Sequence, residues 1–351
     1  MAVIVHVSSF TVGAKGGFQH NTAIKLSNGL VRNGHLVLNF GDRDVARAGS
    51  ILGSRRFGRG RANATLLAFS RLHRPDLLLL GHADIIDAET VAEIRAAVPG
   101  LKVLQWNVDP LFEPENVAKI ESKLGVVDAT LVSTGPAALG PLRRGGRRVG
   151  FLPNAVDPSI ERGRVDLVAD PPFDFFYAVG NPDRPKRWIC GREWNMTAFM
   201  TMLVEALPGL RPRLAGVLGH PRLEGADFQA ALEQAALGLN ISRRADEPLY
   251  SSDRLAQMVG NGMAAVIERG TGYGEIFGDD EMVFFESLDE LIGKLGDLAR
   301  DPVRRQALAG AGRARYLALF NERLVARYLM DYAFERADPA AYGWPASLIR
   351  E

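Results

Sequence analysis

Short apolar runs alternate with amphipathic stretches along the first half of the chain, the pattern of βα units that build a mostly parallel sheet. Val3 to Val7 predicts the first strand, and Asn21 to Arg32 predicts a helix, with Ala23, Ile24, Leu26, Leu30 and Val31 at helical spacing and Gly34 just past its end. His35 to Phe40 follows as a strand, then helix Ala62 to Leu72, strand Asp76 to Leu80, helix Ala88 to Ala97, strand Lys102 to Trp106, helix Pro114 to Lys123 and strand Ala129 to Ser133. Phe151 to Asn154 closes this half, and the polar, Pro-containing stretch Asp157 to Pro172 reads as a linker. The alternation restarts with strand Phe173 to Val179. It continues through helix Asn195 to Leu207, strand Arg213 to Val217, helix Phe228 to Ala235, strand Gly238 to Ile241, helix Ser252 to Asn261, and strands Ala264 to Glu268 and Met282 to Phe285. Helices Leu288 to Arg300, Pro302 to Leu319 and Asn321 to Phe334 end the series. The expected organisation is two α/β, doubly wound domains, 1–165 and 166–320, with a helical segment, 321–351, free to pack elsewhere. Open sheets of this kind bind ligands outside their strand carboxyl ends, so function is expected in a cleft between the two.

Composition narrows the class. A length of 351 residues favours two domains, and 47% hydrophobic with 24% charged residues is a globular balance. Lys and Arg number 42 against 41 Asp and Glu, so a net charge of +1 gives no global case for nucleic acid. Local basic tracts remain: Arg55-Arg56, Arg59-Gly60-Arg61, and Arg143-Arg144 with Arg147-Arg148. Without interleaved aromatics they read weakly as a nucleic-acid surface, and otherwise as attraction to an anionic membrane or a lipid-linked acceptor. The opening MAVIVHVSS has no basic lead-in and reads as a strand rather than a signal peptide. No apolar stretch approaches the roughly 18–20 residues of a membrane helix. Cys190 is the lone cysteine, which excludes a disulfide within the chain. The expected location is the cytoplasm or the cytoplasmic face of the inner membrane.

Several segments carry candidate chemistry. The loop Ser8 to Gly17 joins a strand to a helix and reads either as ligand-facing backbone or as a plain turn; it is neither a G-x-G-x-x-G fingerprint nor a P-loop. Asp42-Arg43-Asp44 mimics a D-x-D metal motif but reads as a surface turn. Gly180-Asn181-Pro182-Asp183-Arg184-Pro185-Lys186-Arg187 places three positive charges between a strand end and a predicted helix, an arrangement suited to a diphosphate or, blandly, a solvated basic loop. Asn240 and Arg243 sit at a strand end, and Arg254 and Gln257 lie one turn apart on the next helix, able to meet a phosphate and a sugar hydroxyl. Gly272-Tyr273-Gly274-Glu275 belongs to a Gly-rich loop whose backbone could line a hydroxylated ligand, with Glu275 as a candidate catalytic carboxylate.

Taken in order, Asn240-Ile241-Ser242-Arg243, Arg254-x-x-Gln257-x-x-x-x-Gly262, Glu281-Met282-Val283-Phe284-Phe285 and Ala309-Gly310-Ala311-Gly312-Arg313 resemble the C-terminal half of CgeB-like glycosyltransferases. Gly16-Gly17, Asn33-Gly34-His35, Trp106-Asn107-Val108-Asp109-Pro110 and Phe151 to Asp157 are similar to landmarks of its first half. The resemblance implies a GT-B fold and transfer of a sugar from a nucleotide-diphosphate-sugar, UDP- or GDP-linked, to a glycan, lipid-linked or protein acceptor, as in cell-envelope polysaccharide biosynthesis. It implies no metal, no cofactor beyond the donor, and a C-terminal helical segment, 321–351, that crosses back to the N-terminal domain. Donor contacts are expected from Gly180, Asn181, Arg184, Lys186, Asn240, Arg243, Arg254, Gln257, Gly272, Tyr273 and Gly274. Acceptor-side residues are Gly16, Gly17, His20, Trp106 and Asp109. The catalytic candidates are Arg254 and Glu275, with His20 and Asp109 as bases if the reaction inverts. Related retaining enzymes carry an E-x7-E pair; here Gln257 stands in the second position and the first falls near Leu249. A nucleotide-sugar epimerase and a nonenzymatic nucleotide-sugar binder are the competing readings.

Overall fold

Apolar runs too short for helices form strands, buried except for the edge strand β2, and six of them assemble the first sheet: β1 (Val3–Ser8), β2 (Leu36–Gly41), β3 (Leu77–Gly81), β4 (Lys102–Asn107), β5 (Ala129–Val132) and β6 (Val149–Phe151). All pair in parallel in the order β2-β1-β3-β4-β5-β6. The computed structural model describes residues 1–10, 21–180, 185–338 and 341–348. The crossovers are α1 (Thr22–Arg32), α2 (Asp42–Ala48), α3 (Arg59–His73), α4 (Ala88–Ala97), α5 (Pro114–Glu121) and α6 (Gly140–Arg143). The Asn21 side chain caps α1 by accepting from the Ala23 and Ile24 amides. Val5, Val7, Leu78 and Leu80 pack with Leu66, Val91 and Ile94 as the core on one face.

The second sheet joins β7 (Phe173–Ala178), β10 (Pro212–Ala215), β11 (Ala235–Leu239), β12 (Ala264–Glu268) and β13 (Val283–Phe285), parallel in the order β10-β7-β11-β12-β13. The chain reverses its winding between β7 and β11, which makes their carboxyl ends the switch point where such sheets hold ligands. Between β7 and α7 (Met196–Ala206) stands an antiparallel hairpin, β8 (Lys186–Ile189) and β9 (Arg192–Asn195), where a loop leading into a helix was expected. The remaining helices are α8 (Gly225–Leu232), α9 (Arg254–Gly260), α10 (Leu288–Arg300), α11 (Pro302–Phe320) and α12 (Glu322–Ala333).

The chain divides into two units, Met1–Ala155 with Glu322–Glu351, and Val156–Asn321. The division falls before the expected linker because that stretch is packed rather than solvated. Asp157 and Glu161 are buried, and the Gly163 and Val165 amides donate to Asn261 at the end of α9, at 2.8 and 3.1 Å. α12 lies against α1 within the first unit, where Arg32 pairs with Glu322 at 2.6 Å and the Asn33 amide donates to the Arg323 carbonyl at 2.8 Å. Asp42-Arg43-Asp44 is not a surface turn but the first turn of α2, with Asp42 fully buried.

Candidate functional site

Strand alternation decides which charge of the basic segment turns inward. Along β8 the side chains run out, in, out, in, so Lys186 is exposed and pairs with Glu193 across the hairpin at 2.8 Å, while Arg187 is only 5% exposed. Lys186, expected at the donor, is therefore spent on a surface ion pair, and its neighbour takes the inward position. Burial lowers the Arg187 guanidinium from its ordinary range; Tyr177 raises it again, and Arg254 and Arg243 lower it. None of the groups acting most strongly on Arg187 is a carboxylate.

Arg254 opens α9 and reaches across the switch point. It donates to the Ala178 carbonyl at the end of β7, to the Ile241 carbonyl beyond β11 at 3.3 Å, and from Nε to Ser252 Oγ at 3.0 Å. The hairpin is tied to the same place, since the Trp188 amide donates to the Arg243 carbonyl at 3.1 Å. Below the arginines the Tyr177 phenol is buried, which pushes it up against the pull of Arg254 and Arg187. Arg254 and Arg243 both act on Arg187 as like charges, a grouping suited to an anionic ligand.

Asn240, on the residue after β11, adds a second sign. It is 1% exposed, and neither its Oδ1 nor its Nδ2 has a hydrogen-bond partner among the described residues. Leaving both ends of a buried amide unpaired is costly, and native proteins tolerate it chiefly where a ligand or water completes the pairing. Nearby, a cavity of about 360 Å³ opens among Val179, Pro185, Met196, Gly216, His220 and Arg222, outside the ends of β7 and β10. Gln257 is buried one turn along α9 from Arg254.

Other expected residues fall elsewhere. The Gly-rich loop folds as two short turns, Arg269–Thr271 and Tyr273–Glu275. Tyr273 points into the core, its hydroxyl 2.8 Å from Ser251 Oγ and its phenol pushed up to about 12 by burial, so it is a packing residue rather than a donor contact. Glu275 is exposed, and no contact brings its carboxylate to the arginine group. Gly272 and Gly274 flank Tyr273, where an added Cβ would meet Leu249 at the first and Arg269 at the second. Gly180 ends the described segment after β7, and Asn181 and Arg184 lie outside the described residues, as do Gly16, Gly17 and His20.

In the first unit, Trp106 is 3% exposed and its indole N–H donates to His6 Nε2 at 3.2 Å. A Cβ on Gly81 would stand 2.1 Å from its ring, so Gly81 is the space Trp106 occupies. It is a core residue, not an acceptor platform. Asp109 does stand beyond the end of β4, 3.4 Å from His82 Nδ1, while His82 Nε2 accepts from the Val108 amide at 3.1 Å. Burial pushes the Asp109 carboxyl up, but the His82 bond and the charges of Lys119 and Arg43 outweigh it and hold the carboxyl below its usual range. Asp42 behaves oppositely. Burial raises it to about 6, one oxygen accepts from the Arg43 amide, and the other has no hydrogen-bond partner among the described residues. Among those residues no group of three or more His, Cys, Asp or Glu is gathered for a metal ion, and no helix is long and apolar enough to cross a membrane.

The family model described as glycosyl transferase-like matches residues 192–331, which takes in β9 through most of α12. Those residues carry a glycosyl transferase-like domain. Solved structures extend the likeness of fold over nearly the whole chain. Sucrose-phosphate synthase from Thermosynechococcus elongatus aligns at TM-score 0.58 and 13% identity, over 95% of this chain and 99% of that one. Anabaena HepE in complex with UDP and glucose aligns at 0.55 and 12%, over 95% and 100%. A protein assigned as UDP-N-acetylglucosamine 2-epimerase from Listeria monocytogenes aligns at 0.53 and 11%, over 96% and 97%. No characterised protein matches by sequence. The chain therefore has a GT-B fold with two Rossmann-like units. The segment the model matches includes Asn240, Arg243, Arg254 and Gln257 but begins after Arg187.

Proposed function

We propose that the chain is a glycosyltransferase that moves a sugar from a nucleotide-diphosphate-sugar to an acceptor hydroxyl, with Arg187, Arg243 and Arg254 holding the diphosphate and Asn240 bonding the donor. The observation that carries this reading is Asn240, buried with both polar side-chain atoms unpartnered among the described residues, at the switch point of the second sheet where the buried Arg187 and the half-buried Arg243 and Arg254 also stand. In the reaction the bond between the anomeric carbon and the phosphate oxygen breaks, with its electrons passing to that oxygen. The acceptor oxygen bonds to the carbon and gives up its proton. Negative charge therefore grows on the diphosphate, where fixed guanidinium groups in a partly dry site stabilise it most and take over work a divalent cation would otherwise do. The cavity of about 360 Å³ beside Val179 is of a size to receive part of the donor's nucleoside or sugar. UDP is the first nucleotide to try, since HepE, of similar fold, is described with UDP and glucose. The acceptor side is assigned to the first unit, with Asp109 the carboxylate available to an acceptor hydroxyl and the reaction placed in the cytoplasm or at its membrane face.

The test is binding followed by turnover. UDP or GDP should raise the melting temperature and bind by calorimetry. Arg187→Gln should weaken that binding by more than about tenfold, the scale of one lost charge-assisted contact. With a UDP-sugar and a range of sugar and lipid acceptors, product analysis should show a new glycoside. A sugar epimerised without acceptor would favour an epimerase, and binding with neither product would favour a nonenzymatic binder. Silence across all nucleoside diphosphates would sink the donor site itself.

A further inference from the structure

From Val45 to Pro75 the chain holds seven arginines and no Asp or Glu, in a molecule whose net charge is only +1. Four of the seven, Arg55, Arg56, Arg59 and Arg61, fall on the turn joining α2 to α3 and on the first residues of α3. The turn is built rather than loose: the Gly53 amide donates to the Ser50 carbonyl at 2.9 Å and the Gly58 amide to the Ser54 carbonyl at 3.0 Å. These backbone bonds close the turn, yet its large apolar side chains face outward. Ile51 is fully exposed, Leu52 78% and Phe57 72% exposed, three large apolar side chains within one short turn rather than scattered singly. Arg55, Arg56 and Arg61 are exposed around them and form no ion pair among the described residues, while Arg59 is engaged by Asp87. Asp87 follows β3, so this tip belongs to the carboxyl-end edge of the first sheet, the edge that also carries Asp109.

We propose that the α2–α3 turn docks the protein on an anionic membrane surface, with Ile51, Leu52 and Phe57 entering the headgroup boundary and Arg55, Arg56 and Arg61 lying against lipid phosphates. Charge complementarity selects this occupant. Apolar side chains ringed by unpaired guanidinium groups match a surface whose outer layer is anionic and whose next layer is hydrocarbon. A nucleic acid would use the charges but has no place for isoleucine and leucine, and one phenylalanine is a poor stacking platform. Docking goes beyond sugar transfer and does not depend on it. Were both to hold, the acceptor would be carried on a lipid presented at that same edge.

The experiment is flotation of the full chain with vesicles of phosphatidylcholine alone or containing one quarter phosphatidylglycerol, at about 0.15 M salt, where distant surface charges are screened. The expected result is partition onto the anionic vesicles only. Ile51→Ser with Leu52→Ser and Phe57→Ser should cut that partition by more than about tenfold, given the methylene groups withdrawn from the boundary. Arg55→Gln with Arg56→Gln and Arg61→Gln should remove the preference for phosphatidylglycerol. All six positions are solvent-facing, so both variants should melt like the parent, and their nucleoside-diphosphate binding, which involves the other unit, reports separately on the transferase reading. Three outcomes overturn the proposal: no partition, or equal partition onto both vesicles; retention on single-stranded RNA unaffected by the serine substitutions, with no vesicle binding; or a dimer in light scattering that the serine substitutions disperse.

Discussion

Asn240 sets stability against function at a single side chain. Its amide is buried with both polar atoms unpaired, a state that costs the empty protein about 1–3 kcal/mol. Asn240→Leu, of similar volume, should therefore raise the urea midpoint while abolishing or sharply weakening nucleotide binding; a variant that gains stability and binds normally would remove Asn240 from the site. Asp42 supports a second prediction, in pH. Burial raises its carboxyl from 3.8 to about 6, so the folded state holds that proton more tightly than the unfolded chain. Its contribution is complete below the unfolded value and is lost as pH rises through 6. Asp42→Asn keeps an acceptor for the Arg43 amide and removes the buried charge. It should be more stable than the parent at pH 8 by up to about 3 kcal/mol, with the gap closing near pH 4. His6 acts in the other direction. Buried and lowered to about 3, it stabilises above 6.5 and loses that contribution as pH falls. The two slopes oppose between pH 4 and 6, so Asp42→Asn should gain more stability with rising pH there than the parent does. Denaturant titration at each pH reads both curves.

At the scale of elements, β8 decides which basic residue matters. Lys186→Ala removes an exposed pair worth about 0–1 kcal/mol and should leave nucleotide affinity unchanged, whereas Arg187→Gln should lose it. Equal losses would mean that alternation along β8 does not separate the two. The hairpin was hard to read in the sequence because each strand has four residues and the segment sits between a strand and a helix, where a loop is the default. The signal was present as Lys186-Arg187-Trp188-Ile189, whose period of two places Arg187 on the side of Ile189. Longer elements were legible, since β12 and α10 match their expected bounds because buried runs and capped, amphipathic helices are specified locally. The places of Asn240, Arg243 and Arg254 in the fold were legible too, at the end of a buried strand and the start of the next helix. Trp106 and Tyr273 were misplaced for a different reason. Whether an aromatic beside a loop turns inward depends on partners remote in sequence, His6 and Gly81 for one and Ser251 for the other, and no local pattern encodes them.

For the whole molecule, chain order and spatial order part company at α12, which follows the second unit in sequence and belongs to the first in space. The seam with α1 depends on Gly29, where an added Cβ would stand 2.1 Å from the Glu322 carbonyl oxygen and 2.8 Å from Ala326 Cβ. Backbone that close cannot be cleared by rotating a side chain, so Gly29→Val must push α12 off α1. Overpacking of this kind costs about 1–3 kcal/mol or more, and here it also strains the Arg32–Glu322 pair. The second unit keeps its own core around Phe175, Tyr177, Phe199 and Leu237, which Gly29 does not touch. Calorimetry of Gly29→Val should therefore show one transition moved down and another in place. A nucleoside diphosphate at a hundredfold its dissociation constant should raise only the second, by the equivalent of about 2.7 kcal/mol. If both transitions fall together, the units unfold as one cooperative block and donor binding would stabilise the first unit as well. If neither moves, the close approach of α1 and α12 is not what holds the final helix to the first unit, and the Arg32 and Asn33 contacts must carry it instead.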